Sequence, residues 1–221
     1  MYKDKLFARL MDMGIKVFSI LGNYTSRSRE YDFAMNNIPS NKCKLLDVGS
    51  AGSLFPLNLA KKGYEVYVVD VRKYHEKHPN LISINSDITN TSFSNDFFNV
   101  ITCISTIEHI GLSAYGDPNY GEGDKLAVKE FSRILEKPGK LILTTPFTGE
   151  YKVLPFKNTY EKIYDYETIR SLFRGWNILK EEYYIPKGVK NWIKATKEEA
   201  EKEYVVYPKS NLSCYVLEQC G

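Results

Sequence analysis

From residue 43 onward, short unbroken apolar runs alternate with stretches in which apolar residues recur at helical spacing. CKLLDVG (43–49) ends an apolar run in an acid and a glycine, the pattern of a buried strand and its turn. SLFPLNLAKKG (53–63) reads as a helix with Pro56 in its first turn and Gly63 as its stop. YEVYVVDV (64–71), NLISINSDI (80–88) and FFNVITCIST (97–106) read as the second, third and fourth strands. In DKLAVKEFSRILEKPG (124–139), Leu126, Val128, Phe131, Ile134 and Leu135 share one face, which predicts a helix running to Pro138–Gly139. KLILTTP (140–146) is the fifth strand. This strand–helix alternation predicts an α/β fold, a doubly wound and mostly parallel sheet flanked by helices.

After Pro146 the period is lost, and residues 147–164 read as an active-site loop or an insertion. DYETIRSLFRG is a helix with Asp165 as N-cap and Gly175 as its stop. WNILKEEYYI and LSCYVLEQ are two late strands, bringing the sheet to seven, and the charged KATKEEAEKE between them reads as a solvated helix. Ahead of the sheet, Leu6, Leu10, Met13 and Val17 mark an amphipathic helix interrupted by charges, unlike a signal peptide. No run approaches the roughly 20 apolar residues of a membrane span.

Composition narrows the function classes. The 221 residues are 43% apolar and 26% charged with a net charge of +3, which fits one globular domain and gives no basic excess for nucleic acid. Cys43, Cys103, Cys214 and Cys220 form no CxxC pair, so reduced thiols and a cytoplasmic location are expected. His75 and His78 form an HxxH without further ligands nearby, a weak metal signal. Seventeen tyrosines stand beside only 2 Trp, and Tyr115, Tyr120, Tyr151, Tyr160, Tyr164 and Tyr166 follow the fourth and fifth strands. Stacking against an acceptor is expected of them.

Ligands of doubly wound sheets bind at the carboxyl ends of the strands, and four such ends carry chemistry here. The first turn, Asp47-Val48-Gly49-Ser50-Ala51-Gly52-Ser53, is small enough for a ligand to approach the backbone. Asp70, followed by Val71, suits a ribose diol; Asp87 with Ile88 suits an adenine amino group and ring face. STIEHIG (105–111) opens the expected acceptor side. A nicotinamide fingerprint would need glycines at 49, 51 and 54, whereas 51 is Ala and 54 is Leu.

LLDVGSAGS, VVDV, SDIT, FFNVITCISTIEHI and LEKPGKLILTTP, in that order, resemble the motifs of class I S-adenosylmethionine-dependent methyltransferases over roughly residues 29–147. Ala51 and Ser53 depart from the stricter glycine pattern. The resemblance implies the seven-stranded fold of that family as one domain over 1–221. Residues 1–40 would be a helical extension, 41–147 the cofactor core, and 148–221 substrate-side insertions and last strands. It implies S-adenosylmethionine as cofactor, held by Asp47, Gly49, Ser50, Gly52, Asp70, Val71, Asp87, Ile88 and Ser105. His109 is the candidate base, with Glu108 beside it, and Tyr115 and Asp117 the candidate acceptor contacts.

A narrower likeness, EHIGL followed by YGDP, is to methyltransferase-like proteins associated with sugar or surface-polysaccharide modification. It implies a small-molecule or glycan acceptor with a hydroxyl nucleophile, and the near-neutral charge suits a neutral or weakly charged one. A metal-binding branch uses acid-x-x-Glu-His, but the first position here is Ser105, which argues against a metal. Tyr24, Arg27 and Arg29 are placed to close over the cleft. The alternatives are a catalytically silent cofactor-binding scaffold, an RNA methyltransferase or an oxidoreductase; a homo-oligomer stays open.

Overall fold

The computed structural model describes residues 25–50, 52–119, 121–156, 159–187, 191–202 and 210–220; the helix expected around Leu6–Val17 lies outside them. Helix α1 (Ser26–Asn37) starts at Thr25, whose hydroxyl accepts from Ser28 N. Strands β1 (Lys44–Val48), β2 (Glu65–Asp70), β3 (Leu81–Asn85), β4 (Phe98–Ile104) and β5 (Leu135–Phe147) pair in parallel in the order β3-β2-β1-β4-β5. Helix α2 (Phe55–Lys61) links β1 to β2, and α3 (Gly123–Ile134) links β4 to β5. Strands β6 (Lys152–Phe156) and β7 (Thr159–Ile163) form a separate antiparallel ribbon, followed by helix α4 (Tyr166–Leu172). Strands β8 (Trp176–Pro186), β9 (Trp192–Ala195) and β10 (Asn211–Gln219) complete the main sheet as β5-β10-β8-β9, each antiparallel to its neighbour.

Both faces of the sheet are covered, because successive strand residues point to opposite sides. Leu45, Val100, Ile142 and Cys214 pack with Phe33 of α1 and Leu59 of α2. Their neighbours Leu46, Ile101, Leu143 and Tyr215 pack with Phe131 of α3 and Ile169 of α4. No helix among the described residues is long and apolar enough to cross a membrane.

Four details differ from the sequence expectations. The sheet has eight strands where seven are expected, the extra being the short edge strand β9, which ends two residues into the charged stretch. The helix expected there shrinks to α5 (Lys197–Ala200), closed by a capping box between Thr196 and Glu199. Helix α3 stops at Ile134, and β5 already begins at Leu135, paired with Phe98. The residue before a proline avoids helical geometry, so Lys137–Pro138 could not extend the helix. The aperiodic 147–164 segment is an ordered ribbon, with Pro155 opposite Tyr160. All four cysteines are free thiols, Cys214 buried in β10 and Cys220 exposed.

A buried ion pair fastens the ribbon to the domain. Lys162 Nζ of β7 donates to Asp124 Oδ1 of α3 at 2.7 Å and to Gly121 O at 3.0 Å. Tyr164 OH donates to the other carboxylate oxygen at 2.9 Å. At 4% and 6% exposure neither charge has water to fall back on. Lys162→Ala is expected to lose about 3–5 kcal/mol in urea unfolding, by stranding the Asp124 charge. Pairing Lys162→Met with Asp124→Leu is expected to recover a large part of that loss.

Candidate active site

The carboxyl ends of β1, β2, β3 and β4 open onto one cavity of about 430 Å³. Its floor is the turn after β1. Gly49 has φ +79°, and its N donates to Val69 O at 2.9 Å. A Cβ there would stand 2.3 Å from Thr106 Cγ2, so position 49 requires glycine on both counts. The Thr106 hydroxyl in turn donates to Val48 O at 3.2 Å and Ile104 O at 3.0 Å, tying the end of β4 to that of β1. A Cβ on Gly52, by contrast, would meet nothing within 4 Å.

Of the cleft acids Asp47 and Asp70 are buried and Asp87 is partly exposed, and all three are supplied with donors. Asp47 accepts from the Ser50 and Thr102 hydroxyls, and burial nonetheless raises its pKa to about 6. Asp70 Oδ1 accepts from Arg72 N at 2.7 Å and Nε at 3.1 Å, and its Oδ2 accepts from the guanidinium at 3.1 Å. Asp87 Oδ1 accepts from Thr89 N and Oγ1, both at 2.9 Å, with Ile88 buried beside it.

At the end of β4, Ser105 has φ +41°, an uncommon geometry for a residue with a side chain. It is held by Thr144, whose O and Oγ1 accept from Ser105 N at 3.0 and 3.1 Å, and by a hydroxyl bond to Glu30 of α1. A single 3₁₀ turn, Ile107–His109, follows. His109 stands edge-on to the Tyr115 ring at 5.4 Å, and the Arg72 guanidinium covers that ring at 4.1 Å. Asp117 accepts from Gly111 N at 2.8 Å and Tyr115 N at 3.1 Å, so it shapes the loop that carries Tyr115. From α1, Arg27 pairs with Glu30 at 3.4 Å, and Tyr31 stacks on Phe55 while sharing a 2.7 Å hydrogen bond with Ser53.

Of the residues singled out in the sequence, Asp47, Gly49, Ser50, Gly52, Asp70, Val71, Asp87, Ile88, Ser105, His109, Tyr115 and Asp117 all border this cavity. Glu108 does not: its side chain points behind the 3₁₀ turn, 1% exposed, with Thr145 Oγ1 at 3.3 Å from Oε2. Arg27 reaches the cavity, but Arg29 turns away, donating to Trp192 O at 2.8 Å beside the Tyr184 ring. Tyr164 is fully buried against Asp124, and Tyr151 and Tyr160 are exposed on the ribbon; Tyr24 and Tyr120 lie outside the described residues. Tyr31 and Arg72 line the cleft without having been singled out, and Ser53, noted only as a departure from the glycine pattern, lines it too. Only the position of Arg72, two residues past a strand-end acid, could have flagged it. Among the described residues no three His, Cys, Asp or Glu side chains gather as a metal site, and His78 Nδ1 accepts from Asn80 N at 3.2 Å.

Fold and cleft together define an α/β domain whose parallel strand ends converge on one cavity. The family described as Methyltransferase domain matches residues 22–185, and the chain belongs to it. Its fold is that of S-adenosylmethionine-dependent methyltransferases. The 1,6-didemethyltoxoflavin-N1-methyltransferase of Burkholderia thailandensis, solved with 1,6-didemethyltoxoflavin and S-adenosylhomocysteine, superposes with a TM-score of 0.65 at 8% identity, covering 100% of this chain and 89% of that one. A methyltransferase of Methanosarcina mazei gives 0.60 at 12% identity over 85% and 97%. The [4+2]-cyclase SpnF gives 0.59 at 12% identity over 98% and 96%. No curated protein sequence matches the chain.

Burial without a cationic partner in contact raises the Glu108 pKa from 4.5 to about 8, with nearby Glu30 adding to the effect. The carboxyl is therefore neutral in the fold at pH 7 and ionised in the unfolded chain. Its contribution to stability is complete below pH 4.5 and is lost as pH rises through about 8. Thermal unfolding across this window is expected to show wild type weakening toward pH 9 and Glu108→Gln weakening markedly less.

Proposed function

We propose that this chain binds S-adenosylmethionine in the cleft and methylates a hydroxyl of a small polar acceptor, a sugar or glycan unit. The observation that carries the reading is the convergence of four strand ends on one cavity, with the space beyond Gly52 open. The residues fit the cofactor part by part. Asp47 receives the methionine ammonium and Arg27 its carboxylate, close to the β1 turn where Gly49, Ser50 and Gly52 let the chain pass. Asp70 accepts the ribose diol above Val71, and Asp87 with Ile88 takes the adenine edge and face. Ser105, pinned by Glu30, forms the wall between the cofactor and acceptor ends.

When bound, the cofactor supplies an electrophilic methyl on a sulfonium sulfur. The protein's part is to align the nucleophile with the sulfur–methyl bond and exclude water. His109 would take up the acceptor's hydroxyl proton as the nucleophile is aligned, and would pass it on to solvent. Tyr115 offers a ring face to the acceptor, and Asp117 holds the loop that presents it. Glu108 works from behind the cleft, fixing the 3₁₀ turn through Thr145. The small-molecule acceptor named for the Burkholderia enzyme supports this scale of substrate. SpnF, a cyclase on the same fold, keeps cofactor binding without methyl transfer as the second reading.

Calorimetry with S-adenosylhomocysteine tests the cofactor half: wild type is expected to bind, and Asp70→Asn to bind about tenfold or more weakly. In a methyl-transfer screen over sugar and glycan acceptors, His109→Ala is expected to lower kcat by about 10²–10⁴-fold with S-adenosylhomocysteine affinity retained. Binding without turnover on any acceptor would favour the scaffold reading.

A further inference from the structure

The carboxylate assigned to the ribose is already engaged. Asp70, its side chain 3% exposed, holds Arg72 through three donors, of which two belong to the guanidinium. A ribose diol needs both carboxylate oxygens, so it competes with that guanidinium. The backbone N–H of Arg72 can stay in place while the side chain leaves, since that side chain is 41% exposed. Its other neighbour is the Tyr115 ring, 4.1 Å from Cζ, and Tyr115 in turn stands edge-on to His109. Cation, ring and imidazole thus form a row along the cavity wall, from the ribose acid to the base. A guanidinium separated from its carboxylate but kept on an aromatic face is a forked donor lacking an anion.

We propose that Arg72 is a displaceable counter-ion: the cofactor ribose takes Asp70 from it, and the released guanidinium recognises an oxyanion on the acceptor, placing the acceptor hydroxyl at His109. The acceptor is accordingly acidic, a sugar bearing a carboxylate or a phosphoryl group. This rests on the cofactor reading above and adds an acceptor class to it. Because one side chain serves both sites, nucleoside and oxyanion favour each other's binding, reciprocally.

The test uses 5′-methylthioadenosine, which carries adenine and ribose but no methionine carboxylate to engage Arg27. Its affinity is measured by calorimetry with millimolar phosphate, acetate or chloride at matched ionic strength. In wild type, phosphate or acetate is expected to tighten 5′-methylthioadenosine by about fivefold or more over chloride, and the more effective anion identifies phosphoryl or carboxyl. Arg72→Gln is expected to bind the nucleoside more tightly than wild type in chloride and to lose the anion effect, while Arg27→Gln keeps it. Absence of anion coupling in wild type, or equal or weaker nucleoside binding by Arg72→Gln, overturns the role of Arg72 and leaves the cofactor reading standing. Failure of wild type to bind either 5′-methylthioadenosine or S-adenosylhomocysteine overturns both.

Discussion

The contact between Gly49 and Thr106 is the point on which the cleft depends. Strands β1 and β4 lie side by side, yet the chain leaves them for opposite faces of the sheet, to α2 and to α3. A crevice opens wherever neighbouring parallel strands part in this way. Its depth is set by how closely the two exits approach, and here a threonine side chain fills the place of a missing Cβ. The Thr106 hydroxyl then caps carbonyls of both strands. A larger residue at either position would push the β1 turn into the space that a ligand needs.

Around that floor, charge is arranged by enclosure. Asp47, Asp70 and Glu30 are nearly fully buried, and each is compensated by hydroxyls, backbone N–H groups or an arginine. For Glu108 burial outweighs the hydrogen bonds it receives, and its pKa climbs accordingly. Arg27 and Arg72 each hold one of these acids and also face the cavity, so the cleft's cations are committed to protein partners that a ligand can replace. The whole-chain charge of +3 is blind to this arrangement: it argues for a weakly charged acceptor, whereas the row from Asp70 to His109 favours an acidic one.

What could be read from the sequence was what local chemistry decides. The five parallel strands announce themselves as apolar runs, and their end residues Asp47, Asp70 and Asp87 follow from position alone, because a strand end is a fixed place in a doubly wound sheet. Contacts that join distant segments were not legible. Glu30 looks like any polar residue in a helix, and its burial depends on Ser105 and Thr144, 75 and 114 residues away. Tyr31 enters the cleft because α1 stacks it on Phe55, which no periodicity announces. The tyrosine excess was a poor guide for the same reason. Tyr164 and Tyr115 both follow strands in the chain, yet one is spent on Asp124 and the other faces the cavity.

The insertion after β5 shows how a part without cleft residues can still matter to the cleft. Among the described residues the ribbon contributes no lining side chain to the cavity, yet β7 packs against the 3₁₀ turn that carries His109. Through Lys162 it also holds Gly121 and Asp124, at the junction between the Tyr115 loop and α3. Gly123 lies so close to Gly111 that a Cβ there would come within 2.6 Å of backbone, so the two ends of that loop are pressed together. Asp117 closes it from within by accepting Gly111 N and Tyr115 N. The loop is therefore fastened at its base and along its span, and the side chains it brings to the cavity owe their placement to a buried ion pair on its far side. A rigid wall of this kind suits an enzyme whose cofactor carries the reactive group, since orientation is what remains for the protein to supply.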